Sequence, residues 1–256
     1  MQKTSYGEGV PSWVDLSTHD LDGSRRFYSQ VFGWDIEPGP PETGGYSNAT
    51  LRGLPVAGIG PQMDPNLPPY WTNYVNVADV DAVAGRVSEA GGRVAFGPTD
   101  VMEFGRLALF LDPTGAALGL WQPNTHRGAG LVDEPGAFAW SELITSDSEG
   151  AKTFYEAVFG WHPVSHGEGP HEYTEFEVDG ESIAGMLPKQ PDMPEDVPSF
   201  WGVYFAVADI AASLEQAKSL GATVVMGPNE VPQGTFAALT DNVGAIFSMI
   251  QLAAEP

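Results

Sequence analysis

The sequence contains no cysteine and few basic residues, and each shortage excludes whole classes of function. Without cysteine, the chain forms neither disulfides nor thiolate metal sites, and it has no thiol nucleophile. Its 11 Lys and Arg residues stand against 34 Asp and Glu residues, which gives a formal net charge of −23. A field of this sign repels nucleic-acid phosphates and anionic lipid headgroups, so we expect neither nucleic acid nor a membrane as a partner.

Long apolar runs are missing as well. The first nine residues lack the apolar core of a signal peptide, and no uncharged stretch approaches the ~18 residues of a membrane span. We therefore expect a soluble, cytoplasmic protein, and leave open export without a cleaved signal. A chain of 256 residues buries a large core, so folding needs neither a metal nor a disulfide.

What the sequence does contain is a long internal repeat. The stretch FYSQVFGW at 27–34 returns as FYEAVFGW at 154–161, a shift of 127 residues (154 − 27 = 127). The same shift matches Trp13 with Trp140 and Tyr46 with Tyr173. A repeat of this length indicates a duplicated structural unit. We predict one domain over 8–123 and a second over 136–253, joined by a Gly- and Pro-containing linker.

Each half is predicted to contain two modules of the order βαβββ. Alternating residues from Trp13 predict a strand, Asp20 is predicted to cap a helix with a buried stripe, and Gly33 is predicted to end that helix. The predicted fold class is α+β. The modules are predicted at 10–61 and 70–123, then at 137–188 and 199–253.

Several of these segments resemble the vicinal oxygen chelate superfamily. The resemblance covers nearly the whole chain and rests on Asp20-Leu21, Phe27-Tyr28, Val31-Phe32-Gly33 and Asp112-Pro113-Thr114-Gly115. That superfamily includes glyoxalase I, bleomycin-resistance proteins, fosfomycin-resistance enzymes and extradiol dioxygenases. In detail the chain is similar to two-domain glyoxalase/bleomycin-resistance-like proteins, which include a mycobacterial secreted antigen of about this size. The resemblance implies curved sheets around a cup with helices outside.

In metal-dependent members of that superfamily, four strand positions supply the ligands of a divalent metal such as Zn, Ni, Mn or Fe. The matching positions here are Trp13, Gly58, Thr72 and Gly119 in the first domain, and Trp140, Gly185, Gly202 and Ser248 in the second. None of them is His, Glu, Gln or Asp, and a divalent ion needs nitrogen or carboxylate donors. We therefore predict no metal and no other cofactor, which puts glyoxalase, dioxygenase and metal-dependent thiol-transferase activities in doubt.

Strand alternation predicts which acidic and tyrosine side chains face the cups. Asp15 and Glu142 each follow a tryptophan by two residues, so both carboxyls should face a cup, where burial raises a carboxyl pKa and suits a general base. The alternative is that each carboxyl is hydrogen-bonded by its neighbours and only orients strands. Tyr74 and Tyr204 are predicted on the same face.

The remaining predicted cavity residues are small, aromatic or basic. Trp13 and Trp140, together with Gly58, Gly119, Gly185, Gly202 and Ser248, suit a planar aromatic ligand unless the aromatic rings fill the space themselves. Arg106 either pairs with an anionic ligand or forms a structural ion pair. His19 and His126 are expected in surface loops.

Three functional hypotheses follow. The first is a metal-independent protein that binds a small organic molecule and so sequesters or detoxifies an aromatic or carbonyl compound. The second is a glyoxalase-like lyase or isomerase in which Asp15 or Glu142 is the general base, with Tyr74 or Tyr204 donating to an oxyanion. The third is an interaction protein with filled cups. Catalysis, ligand identity, the pairing of the modules, and a monomeric or homodimeric state are left open.

Overall fold

A computed structural model describes residues 1–191, 193–194 and 197–253. The first half contains β1 (Pro11–Thr18), α1 (Leu21–Phe32), β2 (Asp35–Ile36), β3 (Ser47–Leu51), β4 (Leu54–Pro61), β5 (Tyr70–Asn76), α2 (Val80–Glu89), β6 (Arg93–Val101), β7 (Gly105–Leu111) and β8 (Ala117–Pro123). The second half contains β9 (Phe138–Thr145), α3 (Ser148–Phe159), β10 (His162–His166), β11 (Tyr173–Val178), β12 (Glu181–Pro188), β13 (Phe200–Ala206), α4 (Ile210–Ser219), β14 (Thr223–Val231), β15 (Gly234–Thr240) and β16 (Ile246–Leu252). The α+β class and the βαβββ order of each module are confirmed.

Local capping chemistry sets the helix ends. The side chain of Asp20 accepts a hydrogen bond from the Gly23 amide at 2.9 Å, which satisfies an otherwise unpaired amide at the start of α1. Gly33 follows the helix with a φ of 71°, a left-handed conformation that glycine adopts without strain. Asp147 and Gly160 play the same parts for α3. The repeated sequence thus produces a repeated helix with the same start and end.

The two modules of each half join into one eight-stranded sheet. The strand orders are β2-β3-β4-β1-β5-β8-β7-β6 and β10-β11-β12-β9-β13-β16-β15-β14. The antiparallel pairs β1–β5 and β9–β13 connect the modules. Module 1 therefore shares its sheet with module 2, and module 3 shares its sheet with module 4.

The hydrophobic cores pair the modules the other way. Phe27 and Tyr28 of α1 pack in one cluster with Phe205 and Phe247 of the second half. A second cluster joins α2 and β7–β8 to α3, β11 and β12. The sheets hold each half together, and the cores hold the halves to each other. The tryptophans at 34, 71, 161 and 201 are buried in these cores.

Two buried tyrosines form polar bridges between the halves. Tyr28 donates to Asp241 at 2.9 Å and accepts from the Trp71 indole at 3.0 Å. Tyr155 donates to Asp112 at 3.0 Å, and the Trp201 indole donates to Tyr155 at 2.8 Å. We call the Tyr28–Asp241 and Tyr155–Asp112 hydrogen bonds the interdomain tyrosine bridges.

Among the described residues, every helix is too short or too polar to cross a lipid bilayer.

Candidate functional site

Backbone register brings most of the predicted site residues into two rows across each sheet. In the first sheet, Asp15 lies between Gly58 and Thr72, and Tyr74 lies between Trp13 and Gly119. In the second sheet, the same rows are formed by Gly185, Glu142 and Gly202, and by Trp140, Tyr204 and Ser248. The duplicated strands therefore place equivalent side chains on equivalent faces.

Two tyrosines hold the carboxyl of the first cup. The hydroxyl of Tyr46 donates to Asp15 Oδ2 at 3.3 Å, and that of Tyr74 donates to Oδ1 at 3.4 Å. The indole of Trp13 donates to the Tyr46 oxygen at 3.0 Å. Burial raises the pKa of Asp15 to about 7, although both tyrosine hydrogen bonds favour the carboxylate and act against that rise. We call Trp13, Asp15, Tyr46 and Tyr74 the first cup.

The second cup repeats this arrangement with a glutamate. Tyr204 donates to Glu142 Oε2 at 2.6 Å, and Trp140 donates to the Tyr173 oxygen at 3.1 Å. Burial raises the pKa of Glu142, while hydrogen bonds from Tyr204 and Tyr173 oppose the shift. Trp140 is partly exposed, whereas its counterpart in the first cup is buried. We call Trp140, Glu142, Tyr173 and Tyr204 the second cup.

Sequence reasoning matched Tyr46 with Tyr173 but did not assign either to the site. A Cβ atom added to Gly58 would lie 1.8 Å from the Tyr46 hydroxyl oxygen, and one added to Gly185 would lie 2.1 Å from that of Tyr173. Both rings therefore lie directly on glycines. The repeat matches Tyr46 with Tyr173 and Gly58 with Gly185, and this joint repetition is the sequence signal that could have identified the two tyrosines.

The floor of each cup is partly filled by tyrosine rings, joined at Gly185 by the Trp140 indole, whose Nε1 would lie 2.9 Å from an added Cβ atom. At Gly119, a Cβ atom would lie 2.2 Å from the ring of Tyr74. Gly202 differs, because its nearest neighbour would be the Glu142 carbonyl oxygen at an ordinary 3.6 Å. The tyrosines therefore bound the space of both cups, and the second cup has additional space at Gly202.

The residues at the positions that the resemblance matches with metal ligands do not fit a divalent ion. Glycine and tryptophan supply no metal-binding side-chain atom there, Thr72 and Ser248 offer only hydroxyls, and the tyrosine rings occupy the space above Gly58, Gly119 and Gly185. Over the described ranges 1–191, 193–194 and 197–253, no group of three or more His, Asp or Glu side chains is arranged to hold an ion.

Arg106 does not lie in a cup, and its predicted cavity position is corrected. Arg106 pairs with Gln122 of β8. Gly119 and Trp121 lie on the cup face of β8, so Gln122 and its partner Arg106 lie on the opposite face. Its guanidinium therefore faces away from the cup, where it binds Asp81 of α2 at 3.0 Å and Asp100 of β6 at 2.8 Å. Of the two alternatives for Arg106, an anionic ligand or a structural ion pair, the structure shows the ion pair.

His126 is not a simple surface residue, contrary to expectation. Its ring meets the Trp13 ring edge to face at a centroid distance of 4.4 Å and lies 5.6 Å from that of Trp121. The Trp121 indole donates to the His126 carbonyl oxygen at 2.9 Å. Burial lowers the pKa of His126 to about 4, so the ring is neutral near pH 7. The linker thus covers one end of the first cup, whereas His19 is exposed as predicted.

A separate cleft of about 610 Å³ lies at the start of α3, away from both cups. Its acidic residues are already engaged: Asp112 accepts from Tyr155, Asp147 caps α3, and Glu149 pairs with Lys152. The cleft is a groove between the halves rather than a set of groups directed at a ligand.

Replacing Asp15 by asparagine is expected to flatten the pH dependence of stability between about pH 4 and pH 7. The folded pKa of about 7 exceeds the ordinary 3.8, so the folded state binds this proton more tightly than the unfolded chain does. The contribution of Asp15 to stability is therefore largest below the unfolded pKa, falls as pH rises, and levels off above the folded pKa. As pH rises across this window, the urea midpoint of the wild-type protein should fall relative to that of Asp15→Asn. The exposed Asp35→Asn is the control, and parallel curves for Asp15→Asn and wild type would contradict the burial argument.

Comparison with known protein families adds to this geometry. The model of the Glyoxalase/Bleomycin resistance protein/Dioxygenase superfamily matches the chain twice, at residues 11–120 and 137–248. The "Putative glyoxylase CFP32" of Mycobacterium tuberculosis is 41% identical over 258 residues, covering 98% of this chain and 97% of the relative. The "Anthracycline biosynthesis protein DauV" of Streptomyces sp. (strain C5) is 34% identical over 264 residues, covering 97% and 95%.

Solved structures with this fold include metal-bound enzymes. A Mn(II)-bound glyoxalase from Novosphingobium aromaticivorans superposes with a TM-score of 0.66 at 17% identity, covering 96% of this chain and 83% of the other. The 2,2',3-trihydroxybiphenyl 1,2-dioxygenase of Sphingomonas wittichii strain RW1 has a TM-score of 0.63 at 12% identity, covering 97% and 93%. At such identities these likenesses show the fold alone. Together with the two family-model matches and the relatives of similar length, they show that the chain belongs to the glyoxalase/bleomycin resistance protein/dioxygenase superfamily.

Proposed function

We propose that this chain is a metal-independent small-molecule binding protein of its superfamily, and that its cups hold an aromatic or carbonyl compound. The observation that carries the proposal is the carboxyl hydrogen-bonded by tyrosine hydroxyls, present in both halves beside the positions that the resemblance matches with metal ligands. Such a cluster offers donors and acceptors to a ligand oxygen without any ion.

A purely structural role explains this cluster poorly. Burying an ionisable carboxyl costs stability, and the raised pKa of Asp15 expresses that cost. An apolar side chain would fill the same space without the cost. Both halves nevertheless keep an acid with tyrosines, as aspartate in one cup and glutamate in the other. Binding of a ligand to these polar groups would explain why both halves keep a buried carboxyl despite its cost.

The chemistry around the carboxyls favours a planar ligand. Trp140, Tyr46 and Tyr173 are partly exposed and present π faces beside the polar groups. With a pKa of about 7, Asp15 has both protonation states available near neutral pH, so it can donate to a carbonyl or accept from a phenol. Anthracyclines, named in the DauV relative, are planar fused-ring compounds with both kinds of oxygen, which supports this ligand class.

A second candidate is a proton-transfer enzyme of the lyase or isomerase type. The pKa of Asp15 favours it, because a general base works best when its pKa lies near the operating pH. Asp15 or Glu142 would remove a proton from carbon next to a carbonyl. Tyr74 and Tyr204 donate their hydroxyl protons to these acids in the structure; once the acid carries the substrate proton, the tyrosine would turn its hydroxyl proton to the developing oxyanion.

The test is a ligand titration with and without metal. Protein dialysed against EDTA is titrated with 2-hydroxyanthraquinone, and tryptophan fluorescence is followed. We expect quenching with an affinity that changes less than about twofold when Zn, Ni, Mn or Fe is added back, because no ion takes part. Trp13→Phe and Trp140→Phe assign the signal to a cup.

Three results would change this reading. Quenching that is abolished by EDTA and restored by one metal contradicts metal independence. No quenching by the probe contradicts the binding function and favours filled cups. In Asp15→Asn and Glu142→Gln, a binding protein loses affinity, whereas an enzyme still binds but loses turnover of a ketone substrate.

A further inference from the structure

We propose that His126 is a ligand-contacting residue of the first cup, where its imidazole accepts a hydrogen bond from a hydroxyl or N–H group of an aromatic ligand. The two cups would then prefer different ligands. This inference rests on the proposed binding function and adds to it a residue from the interdomain linker.

The imidazole of His126 has an unsatisfied nitrogen. His126 Nε2 is buried and has no hydrogen-bond partner among the residues that the structure describes. The large majority of buried polar side-chain atoms in proteins are paired, and an unpaired one is destabilising. A hydrogen-bonding group that enters the cup with a ligand would satisfy this nitrogen.

The imidazole of His126 lies beside the first cup. Trp121 lies two residues after Gly119 on β8 and therefore on the same, cup-facing side of the sheet. The imidazole packs against Trp121 and also against Trp13, which belongs to the first cup. The His126 ring therefore lies over the same face of the sheet as Asp15.

The backbone of His126 is held by hydrogen bonds and its ring by contacts with Trp13 and Trp121 before any ligand binds. The His126 amide donates to the Phe104 carbonyl oxygen at 3.0 Å, and the Asn124 amide donates to the same oxygen at 2.9 Å. The His126 carbonyl oxygen accepts from Trp121. A group fixed in this way loses little entropy when a ligand binds, which favours affinity.

The protonation states define a complementary ligand. Burial lowers the pKa of His126 to about 4, so one ring nitrogen is an acceptor near pH 7. Asp15 and Tyr46 offer hydrogen bonds elsewhere in the cup. A flat molecule with a hydroxyl or N–H group at one position and an oxygen at another would use both sets of groups.

Among the described residues, the second cup lacks the second tryptophan that packs against the His126 ring in the first. With the spacing that matches Asp112 to Asp241 (241 − 112 = 129), Trp121 corresponds to Ile250, which cannot form the aromatic contact. The partner of His126 under the same spacing lies outside the described residues. Tyr204 instead packs near Phe236 at 5.8 Å between ring centroids, an apolar neighbour.

The experiment compares two probes that differ in one donor. In a Trp140→Phe background, 2-hydroxyanthraquinone and 2-methoxyanthraquinone are titrated at about pH 6, where the phenol is largely protonated, with Trp13 quenching as the readout of the first cup. We expect the hydroxyl probe to bind about tenfold more tightly, the effect of one hydrogen bond to a buried group. His126→Phe keeps a flat ring between the two tryptophans but has no nitrogen, and should abolish the preference. The exposed His19→Phe should retain it.

The outcomes separate this inference from the function on which it rests. If His126→Phe binds the probes with the wild-type preference, or if the background protein shows no preference, His126 is not a ligand contact although the cups still bind. If neither probe quenches any of the proteins, the binding function itself fails and takes this inference with it.

Discussion

Replacing Asp112 by alanine is expected to lower the free energy of unfolding by about 3–5 kcal/mol, because several buried hydrogen bonds end on this one carboxylate. Oδ1 accepts from the amides of Thr114 and Ala116 at 2.8 and 2.9 Å, and Oδ2 accepts from Tyr155 at 3.0 Å. The residue is 4% exposed, so water does not replace these partners. The β7–β8 turn would lose the side-chain acceptor of its backbone amides, and one interdomain tyrosine bridge would be broken. Urea denaturation followed by circular dichroism measures the loss.

The chain provides a matched pair and an exposed control. Asp241 accepts from the amides of Val243 and Ala245 and from Tyr28, so Asp241→Ala should lose a similar amount. Asp100 is exposed and bonded to Arg106, so Asp100→Ala should cost no more than about 1 kcal/mol. If Asp112→Ala is no more damaging than Asp100→Ala, the bridges do not stabilise the fold.

Tyr155→Phe separates the bridge from the turn. It keeps the buried ring and removes only the hydroxyl, so Asp112 and the Trp201 indole each lose one partner while the turn keeps its backbone hydrogen bonds. The loss should therefore be smaller than that of Asp112→Ala. Because each bridge joins the two halves, the wild-type protein should unfold in a single transition seen alike by circular dichroism and fluorescence.

The module order could be predicted from sequence because its signals are local. Asp20 and Gly33 act within a few residues of the helix that they bound, and the repeat shows each signal twice. The pairing of modules could not be predicted. An amphipathic helix shows that one face is buried but not against what, and here sheets pair within the halves while the helices pack across them.

The site was predictable only as far as a single strand determines it. Strand alternation places Trp13 and Asp15 on one face wherever the strand lies. Tyr46 reaches Asp15 through β3 and β4, whose register depends on a bulge between Ala49 and Thr50 that no periodicity reveals. His126 lies in a linker without periodicity, so its contacts depend on how the finished sheet is shaped.

Gly58→Ala is expected to displace Tyr46 and dismantle the first cup. The added Cβ atom would lie 1.8 Å from the tyrosine oxygen and 2.9 Å from the Asp15 Cβ atom, distances that real Cβ atoms do not show. When Tyr46 moves away, the Trp13 indole and Asp15 Oδ2 both lose a hydrogen bond. We expect a loss of about 1–3 kcal/mol in the free energy of unfolding from overpacking. Quenching of Trp13 by 2-hydroxyanthraquinone should fall with it.

Gly202→Ala provides the control that isolates this steric cause. Its Cβ atom would lie 3.6 Å from the nearest atom, an ordinary contact, so stability should change little even though Gly202 occupies an equivalent row of the other sheet. Gly185→Ala should resemble Gly58→Ala instead, because its Cβ atom would meet Tyr173 at 2.1 Å. Equal stability of all three variants would mean that the tyrosines do not lie on these glycines. The space above Gly58 and Gly185 would then be open, and both cups would be larger than the contacts of Tyr46 and Tyr173 with these glycines allow.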